Sequence, residues 1–142
     1  MSSEHVDELS GARAMWAQDT ASAALGMELV EVGPGRARLR MPVTSSMVNG
    51  HAIAHGGLVF TLADSAFAVA CNTHGVVTVA SGADITFVAP ARLGDVLLAE
   101  AVEQATFGRS GVTDVRVTNQ DGQLVALFRG RSRSLGRPLP EA

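Results

Sequence analysis

An α+β fold, with a sheet packed around one buried helix, is what the residue pattern of this chain predicts. Two observations carry it. Residues 56–75, GGLVFTLADSAFAVACNTHG, are apolar on nearly every face, rich in alanine and closed by Gly75, as in a helix buried on all sides. Beyond Val76 the pattern turns to period two for four successive segments, and two more such segments precede the helix.

The length of 142 residues suits one domain, spanning residues 1–142, with a core of its own. A composition that is 46% hydrophobic but only 4% aromatic, with abundant Gly, Ala and Val, asks for close packing of small side chains. The formal charge of −3 argues against a nucleic-acid binder. Cys71 is the only cysteine, so no internal disulfide can form, which fits a reducing cytoplasm. The opening MSSEHVDELS lacks the basic and apolar regions of a signal peptide, and no apolar stretch is long enough to span a membrane. Four scattered histidines and one cysteine give no metal-ligand spacing. The expected setting is soluble and cytoplasmic.

Taken in order, residues 1–9 are polar and expected to be loose. Residues 10–25 read as an N-terminal helix ending at Gly26. Residues 27–32 and 36–43, split by Gly-Pro-Gly, read as a hairpin; Ala37, Leu39 and Met41 alternate with Arg36, Arg38 and Arg40. A polar loop over residues 44–55 leads into the buried helix. Strands follow over residues 76–90, 94–107, 112–118 and 123–134, with Asp121-Gly122 as the last hairpin turn. The tail at 137–142 is expected to be loose.

Asp64 does not belong in its surroundings. It lies among Leu62, Ala63, Ala66 and Phe67, with no other charge between His55 and His74. An unpaired carboxylate there costs several kcal/mol, or its pKa rises. Either the acid performs chemistry or it is structural, paired with a buried arginine or capping another segment. Ahead of it, Asn49-Gly50 and His55-Gly56-Gly57 mark the loop–helix junction. Backbone N–H groups left uncovered at a helix start favour developing negative charge, such as the oxyanion of a thioester under attack. The alternative is a plain Gly-Gly turn. Gly56 and Asp64 stand eight positions apart, which is ~12 Å along a helix, too far for both to serve one reacting carbon. If both act, they come from different copies of the chain. Two antiparallel helices about a two-fold axis meet that need and make a homodimer obligatory for the active site.

The segment NGHAIAHGGLVFTLADSAFAVACN, residues 49–72, resembles the signature of the phenylacetic-acid-degradation hotdog thioesterases. The resemblance continues in VASGADITFVAPARLGD, residues 79–95, and VALFRGRSRSLG, residues 125–136, so that it covers roughly the whole domain from residue 25 to 136. It implies a hotdog fold, an antiparallel sheet wrapped around one central helix. It also implies hydrolysis of phenylacetyl-CoA or hydroxyphenylacetyl-CoA-type thioesters to free acid and CoA. No cofactor is implied beyond the coenzyme A of the substrate, and the dimers are expected to pair into a homotetramer. Carried over residue by residue, Asp64 becomes general base or nucleophile and Gly56 the oxyanion N–H donor, with Gly57 beside it at the substrate. His55 positions the thioester end or its neighbours. Asn49 holds the substrate carbonyl or the attacking water, and Ser81 lies near the strand position that contacts that water. His51 is read as solvated, His74 as a complement to the helix C-terminus, and Cys71 as a small buried apolar residue.

Arg129, Arg131 and Arg133 share one face of the last strand, and Arg92 and Arg109 lie in turns flanking its neighbours. Such a stripe on an acidic chain suits the phosphates of coenzyme A. The alternative is a solvated face paired with Glu100 and Glu103. Two other functions stay open. A hydratase or dehydratase on acyl-CoA would need a histidine paired with an acid. A non-catalytic acyl-CoA sensor would keep the pocket but gain nothing from Asp64. Release of free thiol separates hydrolysis from both.

Overall fold

A computed structural model describes residues 2–140, with side chains from residue 9 onward. Met1, Glu141 and Ala142, at the two ends expected to be loose, lie outside the described residues. The elements run α1 (Ser2–Ala17), α2 (Thr20–Ala24), β1 (Glu28–Gly33), β2 (Arg36–Pro42), a single 3₁₀ turn (Ser45–Met47), α3 (Gly56–Cys71), β3 (Val76–Phe87), β4 (Val96–Phe107), β5 (Ser110–Thr118) and β6 (Leu124–Pro138). The six strands form one sheet in the order β1-β2-β4-β5-β6-β3, antiparallel at every pairing. It wraps around α3, as the sequence pattern predicts.

The N-terminal helix departs from expectation. It starts at Ser2 and breaks at residues 18–19 instead of running from 10 to 25. The Asp19 side chain causes the break. Its carboxylate accepts the Ser22 N–H at 2.9 Å and so caps a second helix, which an aspartate does more readily than it continues a first. The stop at Gly26 is where the glycine signal puts it, with φ of 75° and its N–H on Ala23 O.

α3 also ends before Gly75. Asn72 donates Nδ2 to Ala68 O and Thr78 O, and its Oδ1 accepts the Thr78 N–H. Thr73 donates to Ala70 O and accepts the Gly35 N–H. Both side chains are buried, and together they substitute for the backbone partners of another helical turn.

Small residues let the helix lie close to the sheet. Ala63, Ala66 and Ala70 of α3 and Ala99 and Ala126 of the sheet are 0% exposed. Gly130 gives Phe67 its place; a methyl group there would stand 2.6 Å from the Phe67 ring. Phe128 packs edge-on against Phe60 at 5.2 Å and tilted against Phe67 at 5.8 Å. No described helix is long and apolar enough to cross a membrane.

Candidate active site

The loop before α3 is built by Asn49. Its Oδ1 accepts the N–H groups of His51 and Ile53 at 2.9 and 3.3 Å, and its own N–H donates to Ile53 O. This tight turn forces Ala52 to a φ of 59°, the only positive value at a non-glycine residue among the described residues. Isolated bridges from Val48 to Ala54 and from Ile53 to Arg92 pin the loop on both sides. Asn49 thus holds the loop ahead of α3 through its side-chain carbonyl oxygen, while its Nδ2 makes no bond among the described residues. His51 is exposed.

His55 is the N-cap of α3. Its Nδ1 accepts the Gly57 N–H at 3.2 Å, so the Gly57 amide is occupied. Among the described residues His55 has no acid partner. The Gly56 N–H has no acceptor within the described chain, which makes it the uncovered donor at the helix start. Beside it lies a cavity of about 330 Å³ lined by Ile53, Gly56, Val59, Phe87, Val88 and Val125, among others. The Phe87 ring covers Gly56 so closely that an added Cβ would meet it at 3.0 Å. An apolar cleft opening on one free amide can desolvate a carbonyl and give its oxygen a hydrogen bond.

Asp64 is half-buried, two turns into α3. Among the described residues it forms no ion pair. Burial pushes its pKa above the usual 3.8, and the carboxylate of Asp19 pushes it the same way. Cys71 lies further along the same helix; burial, with Glu103 adding to it, pushes its thiol up to about 12. It stays protonated and offers no nucleophile. His74 is held by Glu103, Nε2 to Oε1 at 2.7 Å.

Ser81 occupies a β-bulge of β3, where the register with β6 slips between Ala80 and Gly82, and its hydroxyl donates to Arg131 O at 3.1 Å. The arginines divide. Arg129, Arg131 and Arg133 do share the exposed face of β6, but two are already paired. Arg129 holds Asp114 in a two-pronged contact at 2.7 and 2.8 Å, and Arg131 holds Asp84 at 2.9 Å. The partners are not Glu100 and Glu103, which go to Arg38 and His74. Arg92, Arg109 and Arg133 form no ion pair among the described residues. Arg92 follows Pro90 and Ala91 of the Gly56 cavity wall, and Arg109 stacks near Gly136. Among the described residues no three His, Cys, Asp or Glu side chains gather as a metal site.

A half-buried acid without a cation and a free helix-start amide beside an apolar cleft are the arrangement expected of acyl transfer, and similarity to known proteins bears on it directly. The model of the Thioesterase superfamily matches residues 51–126, from the loop through α3 into β6. The chain belongs to the thioesterase superfamily. It is 43% identical over 125 residues to the acyl-coenzyme A thioesterase PaaI of Escherichia coli K12, covering 88% of this chain and 89% of the relative. The solved structure of the E. coli PaaI protein, from the phenylacetic acid degradation operon, superposes with a TM-score of 0.91 at 40% identity, over 94% of this chain and 97% of that one. A hypothetical thioesterase protein of Streptococcus pneumoniae, solved with coenzyme A, superposes with a TM-score of 0.76 at 26% identity, over 79% of this chain and 88% of that one. The architecture of this thioesterase-superfamily chain is the hotdog fold.

One residue escaped the sequence reading, Asp19. Its signal was an acid followed three positions later by Ser22 inside an otherwise helical stretch, which is how an N-cap appears in a sequence.

Proposed function

We propose that the chain is an acyl-CoA thioesterase that hydrolyses phenylacetyl-CoA or hydroxyphenylacetyl-CoA-type thioesters to the free acid and coenzyme A. The reading rests above all on Asp64, a half-buried acid with no cationic partner among the described residues, on the helix whose first amide, Gly56 N–H, is uncovered. The similarity to E. coli PaaI supports the acyl group and a place in phenylacetate degradation. A hydratase is disfavoured because His55 turns its Nδ1 to a backbone N–H instead of an acid.

In this reading the thioester carbonyl points its oxygen at Gly56 N–H of one protomer. Asp64 of the other protomer either deprotonates water or attacks the carbonyl to form an anhydride that water then opens. Coenzyme A thiol leaves in both routes. Asn49 Nδ2 and the Ser81 bulge bound the space for water and carbonyl. Arg92, which follows the cleft wall in sequence and forms no ion pair among the described residues, is the first candidate for a coenzyme phosphate. Arg109 is the second. Arg129 and Arg131 reach a phosphate only by releasing Asp114 and Asp84. Antiparallel α3 helices at a two-fold axis create two such sites, and two dimers pair into a homotetramer. A lone buried thiol at Cys71 fits the cytoplasm as the working compartment.

The test is thiol release across a panel of acyl-CoA substrates, with Asp64→Asn as control. Phenylacetyl-CoA should turn over, and Asp64→Asn should lose roughly 10²–10⁴-fold in kcat while remaining folded. Full activity in Asp64→Asn would end the assignment.

A further inference from the structure

Next to Asp64 on α3, Ser65 is 8% exposed and bonds outside its own helix. Its Oγ lies 2.8 Å from Ser22 Oγ of α2, itself 2% exposed. Ser22 Oγ in turn lies 2.6 Å from Asp19 Oδ2. An ionised carboxylate only accepts, so the single proton of the Ser22 hydroxyl goes to Asp19, and Ser65 must donate to Ser22. The chain of bonds therefore has a direction, from α3 outward to the carboxylate. Asp19 also accepts the Ser22 N–H through Oδ1, so both its oxygens are fixed. It forms no ion pair among the described residues.

We propose that Asp19 is a positioning residue for the hydrolytic reaction, tying the α1–α2 elbow through Ser22 and Ser65 to the turn of α3 that carries Asp64, and fixing a second carboxylate at the outer end of that chain of bonds. A like charge makes ionisation of Asp64 harder, and after burial Asp19 is the cause that raises its pKa. A base that keeps its proton to higher pH is the stronger base once ionised. The other described titratable groups around α3 do not oppose this. Cys71 is a protonated thiol, and Glu103 is taken by His74 near the far end of the helix. Arg13 of α1 is exposed. The ion pairs of β5 and β6 lie on the outward face of the sheet.

The inference rests on Asp64 being the hydrolytic acid, and the experiment separates the two. The Asp64 carboxyl is titrated by ¹³C NMR in the whole protein, its signal assigned by its loss in Asp64→Asn, and the pH profile of kcat/KM is measured with phenylacetyl-CoA. Asp19→Asn keeps a good helix cap and removes only the charge. It should lower the Asp64 midpoint and shift the acid limb of the profile to lower pH. Ser22→Ala, which breaks the link but keeps the charge, should lower the melting temperature without lowering that midpoint. Asp19→Ser supplies a second charge-free cap should Asp19→Asn not fold. An Asp64 midpoint unchanged in a folded charge-free variant overturns the proposal. Absence of thioester hydrolysis by the unaltered protein would instead sink the functional reading, and the NMR titration would still decide the coupling.

Discussion

Asp64 is a residue the fold tolerates at a cost, and the cost has a sign. Its pKa is raised above the usual 3.8 in the folded chain, so between the unfolded and folded values the native state binds more protons. Stability is then complete at low pH and falls as pH rises through the folded pKa. Asp64→Asn escapes that loss. It should melt at the wild-type temperature below the ordinary carboxylate range and higher than wild type at neutral pH, measured by calorimetry across pH. A variant destabilised by more than ~1 kcal/mol at neutral pH would mark Asp64 as structural. Asp114 runs the opposite way: the Arg129 guanidinium holds its pKa down, so its contribution is present near neutrality and fades on acidification. The sequence exposed Asp64 because a single charge interrupts an apolar run. Asp19 stayed hidden because it sits among other polar residues, and the Ser22–Ser65 bond that links it to α3 crosses 43 positions, which only folding brings together.

Among the elements, α3 and β6 meet where a glycine faces an aromatic ring. Gly130 lies opposite both Ala83 and Thr113, under the ring of Phe67. Gly130→Ala would push a Cβ to 2.6 Å from that ring, and both are buried. A loss of ~1–3 kcal/mol is expected in denaturant unfolding. A neutral result would mean that α3 shifts off the sheet freely. At the cleft, Arg92→Gln should raise KM for acyl-CoA roughly tenfold, about 1.4 kcal/mol for one phosphate contact, and leave kcat unchanged. Arg129→Gln should change KM much less, because Asp114 already holds that charge. Strand alternation was plain in the sequence, since period two survives in residues such as Ala37, Leu39 and Met41, all buried. Helix ends were less so. Asn72 and Thr73 end α3 through side-chain bonds that propensity does not show. The arginine pairings needed register. Arg129 meets Asp84 on one side and Asp114 on the other, neighbours fixed by strand order and not by sequence distance.

At the scale of the whole molecule the proposed dimer answers an open edge of the sheet. β3, twelve residues long, is an edge strand with one side unpaired. Val79 and Phe87 on it are 42% and 52% exposed, which a lone protomer would leave in water. Pairing β3 with its two-fold mate would cover that edge and bring the α3 helices side by side. The spacing of Gly56 and Asp64 makes the same demand from the chemistry. Gly56→Pro removes the amide: proline suits the first helical position, lacks the N–H, and His55 before it already has φ −61° and ψ 132°. Its Cβ would press on the Phe87 ring at 3.0 Å, so the variant's folding is checked by circular dichroism before it is mixed. In an equal mixture of Asp64→Asn and Gly56→Pro chains, half the dimers pair one of each. A composite site leaves each such dimer one site with both groups intact. The decisive measurement is phenylacetyl-CoA turnover by the co-expressed mixture. Sites shared between protomers predict recovery to about a quarter of wild-type activity from two inactive parents; a mixture as inactive as its parents would contradict them.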